Sequence, residues 1–179
     1  MDVLLSVSRL IDTANERVGR VVMWLVLVAV LVSAGNAVVR YGFNASSNAW
    51  LEIQWYLFAA IFLLGAGYTL KHNGHVRIDI LYGRWSPRAR ALIDLSGGLL
   101  FLLPTAAIIA WLGWTGFAES FAIGETSPDA GGLLRWPIKM LIPLGFALLA
   151  LQGISESIKR LAFLVGKGPL AEATAEETA

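Results

Sequence analysis

The sequence predicts an all-α integral membrane protein with four transmembrane helices, preceded by an N-terminal amphipathic interfacial helix. Both ends of the chain are expected in the cytoplasm. Three observations support this prediction. Apolar residues make up 56% of the 179 residues, they are concentrated in four runs that are each long enough to cross a bilayer, and the basic residues gather on one side of these runs.

The chain is predicted to form a single four-helix membrane domain over residues 1–168, followed by a disordered acidic tail over residues 169–179. These four runs leave no room for a second sizeable soluble domain. The sequence contains no cysteine, which excludes disulfides, thiolate nucleophiles and cysteine-bound metals.

Residues 2–19 are predicted to form an amphipathic helix that lies on the cytoplasmic membrane surface and then turns into the first span. The apolar face carries Val3, Val7, Leu10, Ala14 and Val18, and the polar face carries Arg9, Asp12, Asn15, Glu16 and Arg17. One alternative is a helix packed on the protein's own loops. Another is a signal peptide cleaved near Ser33, because small residues follow the apolar run there.

The first two spans are expected at about residues 21–39 and 49–70. The second is about 33 Å long as a helix, enough to cross a hydrocarbon core of about 30 Å. Small residues allow close approach of a neighbouring helix backbone. They occur at Ala29, Ser33 and Ala37 in the first span and at Gly65 and Gly67 in the second.

Glu52 is the only formal charge in the second span. One interpretation is a carboxylate at the positive end of the helix dipole, near the outer interface. The other is an intramembrane charge that pairs with a cation on a neighbouring helix. Lys139, at the outer edge of the fourth span, is a candidate partner within the chain.

The third span is expected at about residues 87–117, with Ser86 as its N-cap and a kink at Pro104. Asp94 is expected to pair with Arg88 or Arg90, because charges inside spans usually pair. The fourth span is expected at about residues 137–157. A long acidic loop, residues 119–135, precedes it on the outer side.

The distribution of all fourteen lysine and arginine residues predicts the orientation. Eleven fall on the predicted inner side: Arg9, Arg17, Arg20, Lys71, Arg77, Arg84, Arg88, Arg90, Lys159, Arg160 and Lys167. Three fall on the outer side: Arg40, Arg135 and Lys139. The positive-inside rule therefore places both ends of the chain in the cytoplasm.

No motif in the sequence predicts catalysis, so we expect neither enzymatic activity nor a cofactor. His72 and His75, followed by Asp79, are residue types that bind metals, but we do not expect a metal site here. Gly74 breaks the helix on which such ligands would sit, and the segment needs no metal to explain it. Nucleic acid is not an expected partner, because the basic residues form no stripe with interleaved aromatics.

Several short segments resemble one known family. Glu52 with Tyr56-Leu57-Phe58, then Gly65-Ala66, then residues 74–79 (GHVRID), and residues 142–149 (IPLGFALL) near the end, resemble the small membrane subunit, DctQ type, of tripartite ATP-independent periplasmic (TRAP) transporters. The resemblance covers about residues 21–164. It implies a scaffold subunit in the bacterial inner membrane that supports a large elevator-type membrane subunit and helps to dock a periplasmic solute-binding protein.

In that family a sodium gradient drives uptake of an organic acid or similar solute, so the resemblance implies a transport role without a reaction. We expect contacts with the large subunit at both ends of the second span. The candidate interface residues are Glu52, His75, Arg77, Asp79 and Lys139. The alternatives are a self-assembling small channel or carrier, which needs an oligomer with a polar lumen, and a membrane-anchored enzyme.

Overall fold

The computed structural model describes residues 1–45, 47–75 and 82–167. The helices are α1 (Asp2–Phe43), α2 (Asn48–Lys71), α3 (Pro87–Gly97), α4 (Leu103–Ala122) and α5 (Trp136–Leu164). A π-helical turn, Gly98–Leu102, joins α3 to α4. Within the described ranges, β-structure is limited to one antiparallel bridge between Thr126 and Leu134. The all-α prediction is confirmed.

Within the described part of the chain, four helical segments are long and apolar enough to cross a membrane: α1, α2, α3 with α4, and α5. Helix α5 lies at the centre and packs against all the others, and α1 also packs against α2. In the apolar segment of α5, 28% of the residues are buried inside the bundle, compared with 6–11% of the residues in the apolar segments of the other three. Most of the apolar surface of the other helices therefore faces outward.

The interior of the bundle is built from small and polar side chains. Its buried apolar residues are mostly alanine, whereas serine, asparagine and glutamine side chains are also buried. Many large apolar side chains are exposed along the same helices. This distribution is expected when lipid replaces water around the bundle, because small interfaces and interhelical hydrogen bonds then drive helix association.

The predicted turn between an interfacial helix and the first span is wrong. Residues 2–43 form one continuous helix. The polar face assigned to water or headgroups packs instead on α5, and Asn15 is only 1% exposed. Val3 and Leu10, on the apolar face, are exposed. In the first half of this helix, Asp12 and Asn15 bind side chains of α5 and Glu16 binds Lys71 of α2, so these polar groups are satisfied within the bundle.

Helix α3 begins as predicted. The hydroxyl of Ser86 accepts a hydrogen bond from the Ala89 amide at 3.3 Å, and Pro87 occupies the first helical turn. Pro104 lies at the start of α4, directly after the π-helical turn. Proline lacks an amide donor, and the wider turn before it carries the helix past that position without a break.

The start of α1 and the end of α5 lie at the same end of the bundle, because Ser8 contacts Ser155. We call this the N-terminal end. The opposite end, which carries residues 123–135, is the loop end. Arg77, Asp79 and the predicted tail, residues 169–179, lie outside the described residues.

Candidate functional site

Residues 123–135 connect α4 to α5 and fold back over the start of α2; we call them the anchored loop. Its two arms are joined by the Thr126–Leu134 bridge. The Ser127 amide donates to the Leu133 carbonyl at 2.9 Å, and the Arg135 amide donates to the Glu125 carbonyl at 2.8 Å. The loop is therefore a small closed hairpin with a fixed shape.

Glu52 anchors this loop to α2. Its carboxylate accepts a short hydrogen bond from the Ser127 hydroxyl and a second from the Leu133 amide at 2.7 Å. Gly132 makes the approach possible, because a Cβ there would lie 2.9 Å from the Glu52 carboxylate. Glu52 is 5% exposed. Its charge is thus satisfied by two donors from its own chain, as a charge near hydrocarbon requires.

Two more α2 side chains bind the backbone of the same loop. The Asn48 amide nitrogen donates to the Ala130 carbonyl at 3.0 Å. The Tyr56 hydroxyl donates to the Leu134 carbonyl at 2.8 Å. Together with Glu52 they hold the loop at three points along the first turns of α2.

The salt bridge between Lys139 and Glu52 that the sequence allowed is not formed. Lys139 forms a salt bridge with Glu125 of the anchored loop instead. The hydrogen bond that Lys139 donates in this pair holds the pKa of Glu125 below its usual value of 4.5. Glu52 and Lys139 therefore bind the same loop at different residues: Glu52 binds both arms, through Ser127 and Leu133, and Lys139 binds the first arm through Glu125.

The side chains at the tip of the anchored loop are largely exposed, although Asn48 of α2 binds the Ala130 carbonyl there. Thr126, Pro128, Asp129 and Gly131 are exposed there. Gly131 has a φ of 72°, a backbone conformation that side chains other than glycine rarely adopt. The loop end thus presents a small rigid surface whose shape depends on Glu52 underneath it.

The N-terminal end holds a polar network between α1 and α5 that the sequence did not predict. Asp12 accepts from Gln152 at 2.8 Å and from Ser155 at 2.7 Å, and pairs with Lys159 at 2.8 Å. Asn15 donates to Gln152 at 3.0 Å. Both ends of the Gln152 side chain are used, and it is fully buried.

The signal for this network was present in the spacing. Polar residues lie on one face of α5 at positions i, i+3, i+4 and i+7: Gln152, Ser155, Glu156 and Lys159. On α1 they lie at positions i, i+4 and i+7: Ser8, Asp12 and Asn15. Two polar stripes at helical spacing predict two helices that bind each other. The polar face of α1 was predicted from the sequence to lie at the membrane surface, and no role was predicted for the α5 stripe.

Comparison with known proteins shows the family. The model of the tripartite ATP-independent periplasmic transporters, DctQ component, matches residues 29–163. The chain belongs to the DctQ family. The match includes the anchored loop, α2 and nearly all of α5, so the geometry above belongs to a DctQ component.

Individual relatives agree with this assignment. The chain is 32% identical over 90 residues to a protein of Haemophilus influenzae named as a TRAP transporter small permease protein, a match that covers 49% of this chain and 55% of the relative. It is 33% identical over 99 residues, 54% of this chain and 41% of the relative, to the C4-dicarboxylate TRAP transporter small permease protein DctQ of Rhodobacter capsulatus. The protein of the same name from Pseudomonas aeruginosa is 27% identical over 97 residues, 54% of this chain and 46% of the relative.

The chain spans about half the length of the curated relatives it matches. No solved structure matches it. The DctQ family is a transporter component and not an enzyme family. With its four helices of membrane-spanning length, the chain is a multi-pass membrane protein of this family.

Three of the candidate interface residues follow the end of α2, and only one of them lies within the described residues. His75 is exposed just beyond α2, whereas Arg77 and Asp79 lie outside the described residues. His72 binds Glu16 at 3.0 Å, and Lys71 binds the same carboxylate at 2.7 Å. His72 therefore serves to join α2 to α1.

The partner predicted for Asp94 was wrong. Its carboxylate pairs with Arg160 of α5 at 3.1 Å and accepts from the Tyr82 hydroxyl at 2.7 Å. Arg90 donates to the Trp85 and Gly83 carbonyls. Tertiary packing places α5 beside α3, and a buried guanidinium there competes better for the carboxylate than an arginine at the helix start.

The predicted small residues are used unequally. Gly67 admits the Asn15 side chain between α1 and α2, and a Cβ added at Gly65 would lie 3.6 Å from the Val22 side chain. Ala29 is buried, but Ala37 is exposed and Ser33 is only partly covered. The second half of α1 therefore has little packing within this chain.

Proposed function

We propose that the chain is the small scaffold subunit of a sodium-coupled TRAP transporter in the bacterial inner membrane. It supports the large elevator-type membrane subunit and helps to dock the periplasmic solute-binding protein during uptake of an organic acid or similar solute. Both chain ends lie in the cytoplasm and the loop end faces the periplasm, as the charge distribution favours. The observation that carries this proposal is the DctQ match over residues 29–163.

The exposed face of α1 supports a scaffold role. Beyond Ala29 no residue of α1 is fully buried, and a Cβ added at Gly35 would have no described atom outside its own helical segment within 4 Å. A helix with this little packing in its own subunit, and with small residues at Ser33 and Ala37, suits a second protein in the bilayer. We propose that this half of α1 contacts the large subunit.

The anchored loop supports a docking role. It is rigid, its tip is exposed, and it lies at the end of the bundle that faces the binding protein in the proposed orientation. Glu52 and Lys139 contribute to the interface by fixing the shape of this loop, whereas His75, Arg77 and Asp79 contact the large subunit at the opposite end of α2.

A charge reversal at the loop tip tests docking separately from assembly. Asp129→Lys leaves the bonds to Glu52 in place, because Asp129 uses backbone atoms in the loop. We expect this variant to co-purify with the large subunit at the wild-type level and to lower solute uptake at limiting binding protein about tenfold, by loss of charge complementarity. Asp2→Lys, at the opposite end of the bundle, is the matched control and keeps full uptake.

Equal uptake by the two variants would remove the loop from the docking surface. Loss of the large subunit from the Asp129→Lys preparation would instead assign the loop to the membrane subunit interface. A self-assembling channel predicts a third result, in which solute uptake proceeds without the large subunit.

A further inference from the structure

A cavity of about 300 Å³ lies at the N-terminal end, between the end of α2, the α3 helix and the last turns of α5. It is lined by Asp94, Glu156 and Arg160 together with Gly97, Gly98 and Leu102. Among the described polar residues that join α1 to α5, Glu156 alone lines this space, and the anchored loop lies at the opposite end of the bundle. The family assignment gives it no role.

Arg160 makes the cavity unusual. The residue is 4% exposed, and its Nη2 pairs with Asp94 at 3.1 Å. Its Nη1 is buried and, within the described part of the chain, has no hydrogen-bond partner. A buried cationic donor without a partner is costly. A ligand oxygen in the cavity would supply the missing acceptor.

The charges around Arg160 select the kind of ligand. Two carboxylates, Asp94 and Glu156, share the lining with this one guanidinium. Glu156 is bound through Oε1 by Lys159 at 2.7 Å and by Gln152 at 3.0 Å. A simple anion would meet both carboxylates, whereas a group with adjacent negative and positive charges matches the acceptor and donor pattern of the site.

An apolar groove of about 370 Å³ continues from this cavity along α4 and α5. The two spaces share Gly97 and Leu102. The groove is otherwise lined by Phe101, Thr105, Phe146 and Leu149. The π-helical turn Gly98–Leu102 therefore lies where the cavity that holds Arg160 meets the apolar groove, and π-turns recur at functional sites.

We propose that this cavity and groove bind one phospholipid with a zwitterionic ethanolamine headgroup. The phosphate accepts from Arg160 Nη1, the ammonium group faces Asp94 and Glu156, and an acyl chain lies in the groove. A cavity that holds charged side chains at one end of the bundle and shares its lining with an apolar groove has the arrangement of a lipid in a leaflet. The lipid would join α3, α4 and α5 at the π-turn.

Native mass spectrometry of the delipidated full-length chain, titrated with defined lipids, tests the proposal. We expect phosphatidylethanolamine to be retained about tenfold more than phosphatidylglycerol of the same acyl chains. Arg160→Lys keeps a cation beside Asp94 but lacks the second guanidinium nitrogen, and should lower this retention about tenfold, as loss of one charge-assisted hydrogen bond predicts. Arg20→Lys, at an exposed arginine, is the matched control.

A second pair of variants tests the groove independently of the headgroup. Thr105→Trp fills the groove and should lower retention at least about fivefold by excluding the acyl chain. Thr115→Trp, at an exposed threonine of the same helix outside the groove, should leave retention unchanged. This pair still decides the proposal if Arg160→Lys fails to fold.

Four results would overturn the proposal. Equal retention of the two lipids would remove the headgroup assignment, and unchanged retention in Thr105→Trp would remove the groove. Thermal stabilisation by free phosphoethanolamine equal to that by the whole lipid would show a site for a soluble phosphate compound. Loss of the bound lipid when the large subunit is added would show that a protein covers this surface.

Discussion

Replacing Glu52 by glutamine should open the anchored loop while leaving the helices folded. The carboxylate accepts from Ser127 and from the Leu133 amide. Glutamine offers one oxygen, which can accept from the Leu133 amide. At the other position its amide nitrogen faces the Ser127 hydroxyl, whose oxygen already accepts from the Asp129 amide and from Arg135. The variant therefore loses one hydrogen bond and the charge assistance of the second, and charge-assisted bonds are about twice as strong as neutral ones.

This loss corresponds to an increase of about ten- to thirtyfold in the open population of the loop. Hydrogen exchange at the Leu133 amide measures it directly, since that amide donates to Glu52. We expect exchange at Leu133 to accelerate by this factor in Glu52→Gln, with unchanged exchange in the middle of α5. Lys139→Gln should change the exchange rate of the Leu133 amide by less than about threefold, because the salt bridge of Lys139 with Glu125 is partly exposed.

Wild-type exchange at Leu133 in Glu52→Gln would refute the anchor. Matching effects of the two variants, without additivity in the double variant, would show instead that Glu52 and Lys139 act as one unit.

Three further predictions follow from the packing and the orientation. Cysteines introduced at Ala130 and at Ser6 should be labelled by an impermeant reagent from the periplasm at Ala130 only, and the opposite pattern would invert the proposed orientation. Asn15→Ala should lower the free energy of unfolding by about 1–3 kcal/mol, because it leaves the buried side-chain oxygen of Gln152 without a donor. Leu10→Asp, at an exposed position, should lower the free energy of unfolding of the isolated chain in detergent far less. A thermal melt in which Leu10→Asp is the less stable variant would support the interfacial helix instead. Gly145→Ala should lower the free energy of unfolding by about 1–3 kcal/mol, since the added Cβ would lie 2.7 Å from the Leu63 carbonyl. Gly35→Ala would meet no described neighbour and should raise the free energy of unfolding by up to about 1 kcal/mol. Equal melting temperatures of the two variants would contradict the close contact of α2 with α5.

The helical class and the family were accessible from the sequence because they depend on local quantities. Apolar run length, the Ser86-Pro87 start signal and the spacing of short motifs are all read within one segment. The same holds for the position of Glu52 at the start of α2. These features do not depend on which helix packs against which.

The partners of the charged residues were not accessible, because they depend on helix packing. Asp94 pairs with Arg160, which lies 66 residues further along the chain and not one turn away. Glu52 binds a loop whose fold depends on Ser127 and Gly132. The polar face of α1 was assigned to the membrane surface because a single amphipathic helix looks the same whether a bilayer or a polar helix such as α5 covers it.

Co-purification under native conditions tests the central claim most directly. The tagged full-length chain, expressed with the large TRAP membrane subunit and extracted in mild detergent, should elute as a complex with equal amounts of the two proteins. Crosslinking from a photoreactive residue at Ala37 should reach the large subunit, whereas the same residue at Leu10 should not. Elution of this chain as a homo-oligomer free of the large subunit, with crosslinks only between its own copies, would contradict the account.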